Sequence, residues 1–245
     1  LCDWTWPGAM RTASALAAKQ LRKVLHLNET QCVALHNGIV LRQTTETREQ
    51  TRRRLGLEKF QGAFFGVIAV LRPNKGHLVL LRAMAALLRQ SPDVPCHIKL
   101  LIEGTGPLRE ELQAFAADNR LSAHCIFVGE EENVMNFMTL LDVLILPSIG
   151  YEDFPNVILE AMGLGKAVIA SRIAGTPEQV VDGETGILVD PGDVDQLAAA
   201  IAGLAQDADR RRQMGLAGLK RFQERFTAEV AVKNYISHYQ SLLET

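Results

Sequence analysis

The chain has 245 residues, of which 47% are hydrophobic and 22% are charged, and its formal net charge is −2. This composition is typical of a globular protein of one or two domains, and it lacks the basic excess of a nucleic-acid-binding protein. No apolar run approaches the roughly 20 residues needed to span a bilayer. The four cysteines are far apart, which argues against a zinc site or a disulfide framework. We therefore expect a cytoplasmic protein without metal or nucleic acid.

The first sixty residues predict two short elements and a linker. Residues 10–25 have helical spacing of apolar side chains, and residues 31–40 form an apolar strand that ends at the turn signal Asn37-Gly38. Residues 41–60 are polar and basic, and the run Arg52–Arg54 predicts a solvated helix face. Because no strand-like segment precedes the first helix, we expect the N-terminal part of a longer protein to be absent.

From residue 63 onward, apolar strands alternate with amphipathic helices, which predicts a doubly wound α/β domain with a parallel sheet. In such a domain the ligand lies at the carboxyl ends of the strands. A C-terminal helical tail follows at 193–206, 207–224 and 228–243. The predicted strands are 63–70, 97–104, 124–129, 142–148, 166–171 and 186–189, and the predicted helices between them are 77–90, 107–119, 132–140, 155–163 and 177–181.

Two loops at that sheet edge have the composition of anion sites. In LRPNKGH (71–77), Arg72 and Lys75 lie where a strand ends and a helix begins, so backbone N–H groups and two cations favour an anion. The alternative is a polar turn hinged at Gly76. In EGTGPLRE (103–110), Gly104 and Gly106 permit a close approach to a ligand, although a tight strand-to-helix turn explains them equally. This loop lacks an intact GxGxxG, which argues against an NAD dehydrogenase.

The third loop, YEDFPNVILEAMGLGKAVIAS (151–171), places Glu152 and Glu160 eight residues apart on either side of a helix start at Pro155. Eight helical residues span roughly 12 Å, which suits a nucleoside diphosphate sugar lying across the helix terminus. Carboxylates accept hydrogen bonds from vicinal hydroxyls, so each glutamate could bind one end of that ligand. The alternative is a first-turn carboxylate and a surface glutamate.

Together these segments resemble the C-terminal, donor-binding domain of a GT-B glycosyltransferase of the GT4 type, also called glycosyl transferases group 1. The resemblance runs from about residue 36 to the C-terminus, and the EX7E segment is its strongest element. It rests on HNGI (36–39), RPNKGH (72–77), EGTGPLR (103–109), DVLILPS (142–148), EDFPNVILEAMGLGKAVIAS (152–171) and GTPEQVVDGETGILV (175–189).

The resemblance implies a retaining sugar transfer from a UDP- or GDP-sugar without bound metal or other cofactor. Glu152 would contact the transferred sugar as the catalytic carboxylate, Glu160 the ribose, and Lys75 with Arg72 the diphosphate. The base would lie near the 129–134 loop, beside Glu130. The other residues expected to contact the donor are Gly104, Gly106, Gly129, Asn133, Val134, Asp153, Phe154, Pro155 and Asn156.

The resemblance also sets the expected domains and partners. Residues 1–40 would be the remnant of an acceptor-binding domain, 41–60 a linker, 61–225 the donor-binding domain and 226–245 a helix that crosses back. The acceptor would be a saccharide or a lipid-linked saccharide, which allows peripheral contact with the inner face of the membrane. A nucleotide-sugar epimerase of the same fold and a non-catalytic nucleotide-sugar-binding module are the alternatives.

Two positions depart from the family pattern. The family has arginine five residues before the lysine of its KG turn, whereas this chain has Val70 there. We expect Arg72 to supply that charge from a different direction. The family has glycine after the first glutamate of EX7E, whereas this chain has Asp153, which we expect either to alter sugar choice or to cap the helix.

Overall fold

The computed structural model describes residues 10–150 and 152–243, which contain eight strands in two parallel sheets. The strands are β1 (Met10–Thr12), β2 (Cys32–Ala34), β3 (Ala63–Ile68), β4 (Ile98–Glu103), β5 (Cys125–Gly129), β6 (Val143–Leu146), β7 (Ala167–Ser171) and β8 (Gly186–Val189). The last six form one sheet in the order β5-β4-β3-β6-β7-β8, which confirms the predicted doubly wound α/β domain.

Helices cover both faces of this sheet, which is why its strands read as continuous apolar runs. The helices are α1 (Ala15–Leu25), α2 (Arg48–Arg54), α3 (His77–Gln90), α4 (Asp93–Cys96), α5 (Arg109–Asp118), α6 (Val134–Leu140), α7 (Asn156–Gly163), α8 (Thr176–Gln179), α9 (Val194–Gln206), α10 (Ala208–Arg225) and α11 (Ala228–Leu243). One core lies beneath α3, α5 and α9, and the other beneath α6, α7 and α10.

The strand order fixes where a ligand would bind. From β3 the chain winds outward through β4 to β5, and from β6 it winds the opposite way through β7 to β8. Loops that leave the carboxyl ends of β3 and β6 therefore diverge and open a crevice between them. The loops 69–76 and 147–155 border this crevice, and they contain the predicted anion site and the first glutamate of EX7E.

The prediction of one helix over residues 10–25 is wrong at its start. Met10–Thr12 is a strand that pairs in parallel with Cys32–Ala34, and the helix begins only at Ala15. Ser14 separates them in an extended conformation and accepts a hydrogen bond from the N–H of Ala17. The local spacing is helical, but the strand forms through a pairing partner twenty residues away, which a local pattern does not reveal.

The predicted linker, residues 41–60, contains α2, whose N-terminus is a capping box of Thr47 and Gln50. The prediction that the three arginines form a solvated helix face is confirmed for the exposed Arg53 and Arg54 and is wrong for Arg52, whose side chain is 19% exposed. Arg52 donates to the carbonyls of Leu57 and Glu58, and Arg54 forms ion pairs with Glu46 and Glu131. The helix packs against α6.

The last helix contacts the first segment of the chain. The N–H of Ile39 donates to the carbonyl of Phe226 (3.0 Å), and the Tyr235 hydroxyl lies 3.5 Å from the carbonyl of Leu35. The guanidinium of Arg11 lies 4.7 Å from the centre of the Tyr235 ring. Among residues 10–150 and 152–243, no helix is both long enough and apolar enough to cross a bilayer.

Candidate functional site

Two loops bring a buried carboxylate and a cation together at the crevice. Lys75 ends a short 3-10 turn after β3, and its ammonium forms an ion pair with a carboxylate oxygen of Glu152. The Ser148 hydroxyl donates to the same oxygen at 2.7 Å. Glu152 is only 7% exposed, whereas the Lys75 side chain is 26% exposed. The cation therefore remains accessible to an anion, while the carboxylate is held in one orientation.

Backbone contacts fix these two loops against each other. The carbonyl of Asn74 accepts hydrogen bonds from the N–H groups of Ile149 (2.9 Å) and Gly150 (3.1 Å). Gly76 has a φ of +72°, and a side chain there would collide with the carbonyl oxygen of Pro147. Only glycine fits both the left-handed backbone and this close approach. These backbone contacts therefore fix the positions of Lys75 and Glu152 relative to each other.

The start of α7 supplies the neutral donors of the site. Pro155 is the N-cap residue, and the exposed Asn156 is the first helical residue. The first N–H groups of a helix have no partner within it, so they are available to an anion. The side-chain amide of Gln179 donates to the carbonyl of Pro155 at 3.0 Å, which holds this helix start in place.

Glu160 lies on α7, in a different environment from that of Glu152 in the preceding loop. It is half-buried, and burial raises the pKa of its carboxyl above the ordinary value of 4.5. The charge of Arg42 opposes this rise in pKa. A carboxylate that has lost part of its hydration is a strong acceptor for a hydroxyl that replaces the water.

The two glycines of EGTGP serve loop packing. A side chain at Gly104 would collide with the carbonyl oxygen of Ala69, and one at Gly106 would collide with the backbone of Leu71. The close approach that these residues permit is therefore to the β3–α3 loop, which favours the tight-turn interpretation. Contact of Gly104 and Gly106 with the donor stays a prediction.

The predicted base region is a polar cavity of about 680 Å³ beside the 129–134 loop. Asn133 caps α6 by accepting from the N–H of Met135, and its amide donates to the carbonyl of Gln43. Glu103, at the end of β4, is 7% exposed and accepts from the N–H of Glu131 at 3.1 Å. Burial raises the pKa of Glu103 above its ordinary value. The cavity is lined by Arg42, Gln43, Thr45, Glu46, Arg54, Glu130, Glu131, Glu132, Asn133 and Asn136.

Two predicted donor-binding side chains contact the protein instead. Asp153 accepts a hydrogen bond from the Ser14 hydroxyl (2.8 Å), which ties the N-terminus of α1 to the α7 loop. The ring of Phe154 is buried and stacks on His36 with ring centres 5.0 Å apart. The expectation that Asp153 caps α7 is wrong, because the N-cap of that helix is Pro155 and no side chain caps it. An effect of Asp153 on sugar choice stays a prediction. The Phe154 side chain is part of the core, so only its backbone could face a ligand.

Arg72 and Val70 are both exposed at this edge. Within residues 10–150 and 152–243, the side chain of Arg72 makes no ion pair and no hydrogen bond. Its role as a substitute for an arginine at Val70 stays a prediction. Lys75, in contrast, is a cation that the protein itself orients at the crevice through its ion pair with Glu152. Among the described residues, no group of three or more histidine, cysteine, aspartate or glutamate side chains is placed to hold a metal ion.

The comparison with known families decides the assignment. Residues 48–221 match the model of the family described as glycosyl transferases group 1. The chain belongs to this family. The match covers the six-stranded sheet together with the Lys75–Glu152 pair and both glutamates of EX7E.

Two curated relatives of this chain are mannosyltransferases by name. A GDP-mannose-dependent alpha-(1-6)-phosphatidylinositol monomannoside mannosyltransferase of Mycolicibacterium smegmatis is 35% identical over 71% of this chain and 46% of its own length. The lipopolysaccharide core biosynthesis mannosyltransferase LpsB of Rhizobium meliloti is 28% identical over 96% of this chain and 67% of its own. The chain spans about half the length of most of the relatives it matches.

Solved structures confirm the GT-B type of fold. A glycosyltransferase from Rickettsia africae superposes with a TM-score of 0.85 at 19% identity, over 98% of this chain and 64% of that one. Anabaena HepE in complex with UDP superposes with a TM-score of 0.81 at 21% identity, over 95% of this chain and 64% of that one. At these identities the likeness shows the fold alone.

Three residues near the site are not predicted from the sequence. Ser148 orients Glu152, and Glu103 accepts a hydrogen bond from the 129–134 loop. The guanidinium of Arg109 lies 3.7 Å from the position that a Cβ atom at residue 129 would occupy. Each lies at the carboxyl end of a strand or the start of a helix after one. Polar residues at those positions, Ser148 and Glu103 above all, are the signal that was available in the sequence.

Proposed function

We propose that this chain is the donor-binding half of a retaining glycosyltransferase, which transfers a sugar from a GDP- or UDP-sugar to a saccharide or glycolipid acceptor without bound metal. The observation that carries this proposal is the pairing of the accessible Lys75 ammonium with the buried Glu152 carboxylate at the switch point of the sheet. One group suits a diphosphate and the other suits sugar hydroxyls, and both adjoin a helix start.

The chemistry assigned to these residues is electrostatic. As the sugar leaves, negative charge develops on the diphosphate, and Lys75 with the N–H groups at the start of α7 would stabilise it. Glu152, fixed by Ser148, would orient the sugar by accepting hydrogen bonds from its hydroxyls. Glu160 would bind the ribose and thereby set the distance between the nucleoside and the reacting carbon.

The donor that we favour is a GDP-sugar, specifically GDP-mannose. This choice is supported by the name of the Mycolicibacterium smegmatis relative, which states dependence on GDP-mannose, and by the mannosyltransferase name of the Rhizobium meliloti relative. A guanine base presents N–H donors, and the base cavity contains several carboxylates that can accept them.

The test is a calorimetric titration of the 245-residue chain with GDP, GDP-mannose, UDP and UDP-glucose. We expect GDP and GDP-mannose to bind, with GDP-mannose the tighter of the two. Absence of binding by all four compounds would overturn the proposed function. Tighter binding of UDP-glucose than of GDP-mannose would overturn only the choice of donor.

The epimerase and binding-module alternatives are distinguished by products. Each relative named above is a transferase, which favours transfer over epimerisation. A transferase joined to its acceptor-binding partner domain forms a glycosylated acceptor, an epimerase converts the nucleotide sugar without an acceptor, and a binding module returns the donor unchanged.

A further inference from the structure

One buried side chain close to Lys75 in the sequence, His77, is not part of the proposed site. His77 is the first residue of α3 and is only 1% exposed. Within residues 10–150 and 152–243, neither its Nδ1 nor its Nε2 atom has a hydrogen-bond partner. Burying a polar group without a partner costs stability, so native proteins rarely retain one without a reason.

Helical spacing places this imidazole on the sheet-facing side of α3, at the carboxyl edge of the sheet. Leu80, Leu81 and Met84 follow His77 at intervals of three, four and seven residues, and all three are fully buried. They form the stripe of α3 that packs on the sheet. His77 is the first member of that stripe, so it lies at the carboxyl edge of the sheet, which is the edge that holds Lys75 and Glu152.

The imidazole at this position is neutral. Burial and, to a smaller extent, the nearby charge of Lys75 together lower the pKa of His77 to about 4. At neutral pH one ring nitrogen therefore carries a proton that it can donate, and the ring adds no second positive charge beside Lys75. The helix that starts at His77 has 14 residues, so its first N–H groups and its dipole also favour an anion at the same place.

We propose that His77 is a donor-binding residue, whose neutral imidazole N–H donates a hydrogen bond to an oxygen of the diphosphate held by Lys75. This inference rests on the proposed function and adds a residue to its site. It accounts for a histidine that is buried at the start of a helix: the ring lacks a protein partner because its partner is the ligand.

Three substitutions of His77 test this inference. Leucine removes both nitrogens at similar volume, whereas glutamine keeps a side-chain N–H at the distance of Nε2 and asparagine keeps one at that of Nδ1. We expect His77→Leu to weaken binding of GDP and of UDP about tenfold in calorimetric titration. One of His77→Gln and His77→Asn should restore most of the lost affinity and so identify the donating nitrogen.

The melting temperature separates this role from a structural one. His77→Leu should raise the melting temperature of the ligand-free protein, because it removes buried polar atoms that have no partner. The matched control His97→Leu changes an exposed histidine at the opposite, amino edge of the sheet, and it should leave GDP affinity unchanged. Unchanged affinity in His77→Leu, whatever its melting temperature, would overturn the inference.

Nuclear magnetic resonance of the wild-type protein keeps the test valid if the leucine variant does not fold. With ¹⁵N-labelled histidine, the ring nitrogen signals of His77 should shift when GDP is added but not when guanosine is added. His124, whose ring contacts the carbonyl of Pro95 at the amino edge, is the internal control and should not shift. If wild-type protein binds neither GDP nor UDP, the proposed function fails as well; if it binds them and His77 does not respond, only this inference fails.

Discussion

Glu152 and Glu160 lie at the two ends of one loop-and-helix segment, and the protein holds them differently. Glu152 is buried, paired with Lys75 and oriented by Ser148, so its charge is already neutralised before a ligand arrives. Glu160 is half-buried on α7, and its pKa is raised because burial outweighs the charge of Arg42. This difference agrees with the proposed function, in which a phosphate competes with Glu152 for Lys75, the Glu152 carboxylate accepts from sugar hydroxyls, and a ribose replaces water at Glu160.

The largest effect should come from removing the cation. Lys75→Met should weaken GDP binding by about 1.5–3 kcal/mol, because a charge-assisted contact with the diphosphate is lost. Calorimetric titration of GDP and guanosine measures this loss, and guanosine should be nearly unaffected. Arg72→Ala removes the second predicted cation, and because this side chain is exposed and unpaired within the described residues, we expect a smaller loss of GDP affinity. An equal loss for GDP and guanosine would contradict the diphosphate assignment.

The predicted contact between Glu160 and the ribose is tested by removing the ribose hydroxyls from the ligand and the carboxylate from the protein, separately and together. Glu160→Gln should weaken GDP binding by about 1–2 kcal/mol, since a charged acceptor becomes a neutral one. The same substitution should have little effect on the binding of 2′,3′-dideoxy-GDP, which has no ribose hydroxyls to donate. A titration of both nucleotides with both proteins measures the coupling. An equal loss for GDP and the dideoxy compound would place Glu160 outside the ribose contact.

The raised pKa of Glu160 predicts how stability changes with pH. The pKa of this carboxyl is higher in the folded state than its ordinary value of 4.5. Its contribution to folding stability is therefore complete below pH 4.5 and is lost as the pH rises through the folded-state pKa. Glu160→Gln should therefore be more stable than wild type at pH 7, and the difference should shrink at pH 4. Urea unfolding at the two pH values measures it, with the exposed Glu110→Gln as control. A stability difference that grows on acidification would contradict the assignment.

The smallest effect should come from the contact that supports the α7 loop from outside the site. Ser14→Ala removes the cap of α1 and the hydrogen bond to Asp153, and it should lower the free energy of unfolding by about 1 kcal/mol. Nucleotide affinity should remain unchanged, because Asp153 faces α1. The exposed Ser122→Ala is the control for unfolding. A clear loss of GDP-mannose affinity in Ser14→Ala would show that Asp153 acts on the donor.

The sequence predicted most of the large domain, because its signals are local and repeated. The limits of α3 (His77–Gln90) and of α11 (Ala228–Leu243) agree with the predicted helices, and each predicted strand from residue 63 onward is present. The capping box Thr47–Gln50 was a readable signal for the helix inside the predicted linker. The strand Met10–Thr12 could not be predicted from the local sequence pattern, because it depends on pairing with Cys32–Ala34.

The site was predictable only where strand order determines it. A glutamate after β6 and a lysine after β3 meet because those strands are adjacent, and the motif spacing pointed to both. The sequence could not show that Asp153 contacts Ser14, or that the ring nitrogens of His77 are buried without a hydrogen-bond partner among the described residues. Both facts arise from packing between distant segments, and a local pattern shows only a polar residue near a helix start.

The central claim is that Glu152 and Glu160 contact opposite ends of one nucleotide sugar. Titration of GDP and GDP-mannose into wild type, Glu152→Gln and Glu160→Gln tests it most directly. We predict that Glu160→Gln weakens both ligands equally, by roughly 1–2 kcal/mol. Glu152→Gln should leave GDP binding intact, or tighten it by releasing Lys75, and should remove the additional affinity that the mannose confers. Matched affinity profiles for the two variants would contradict the claim.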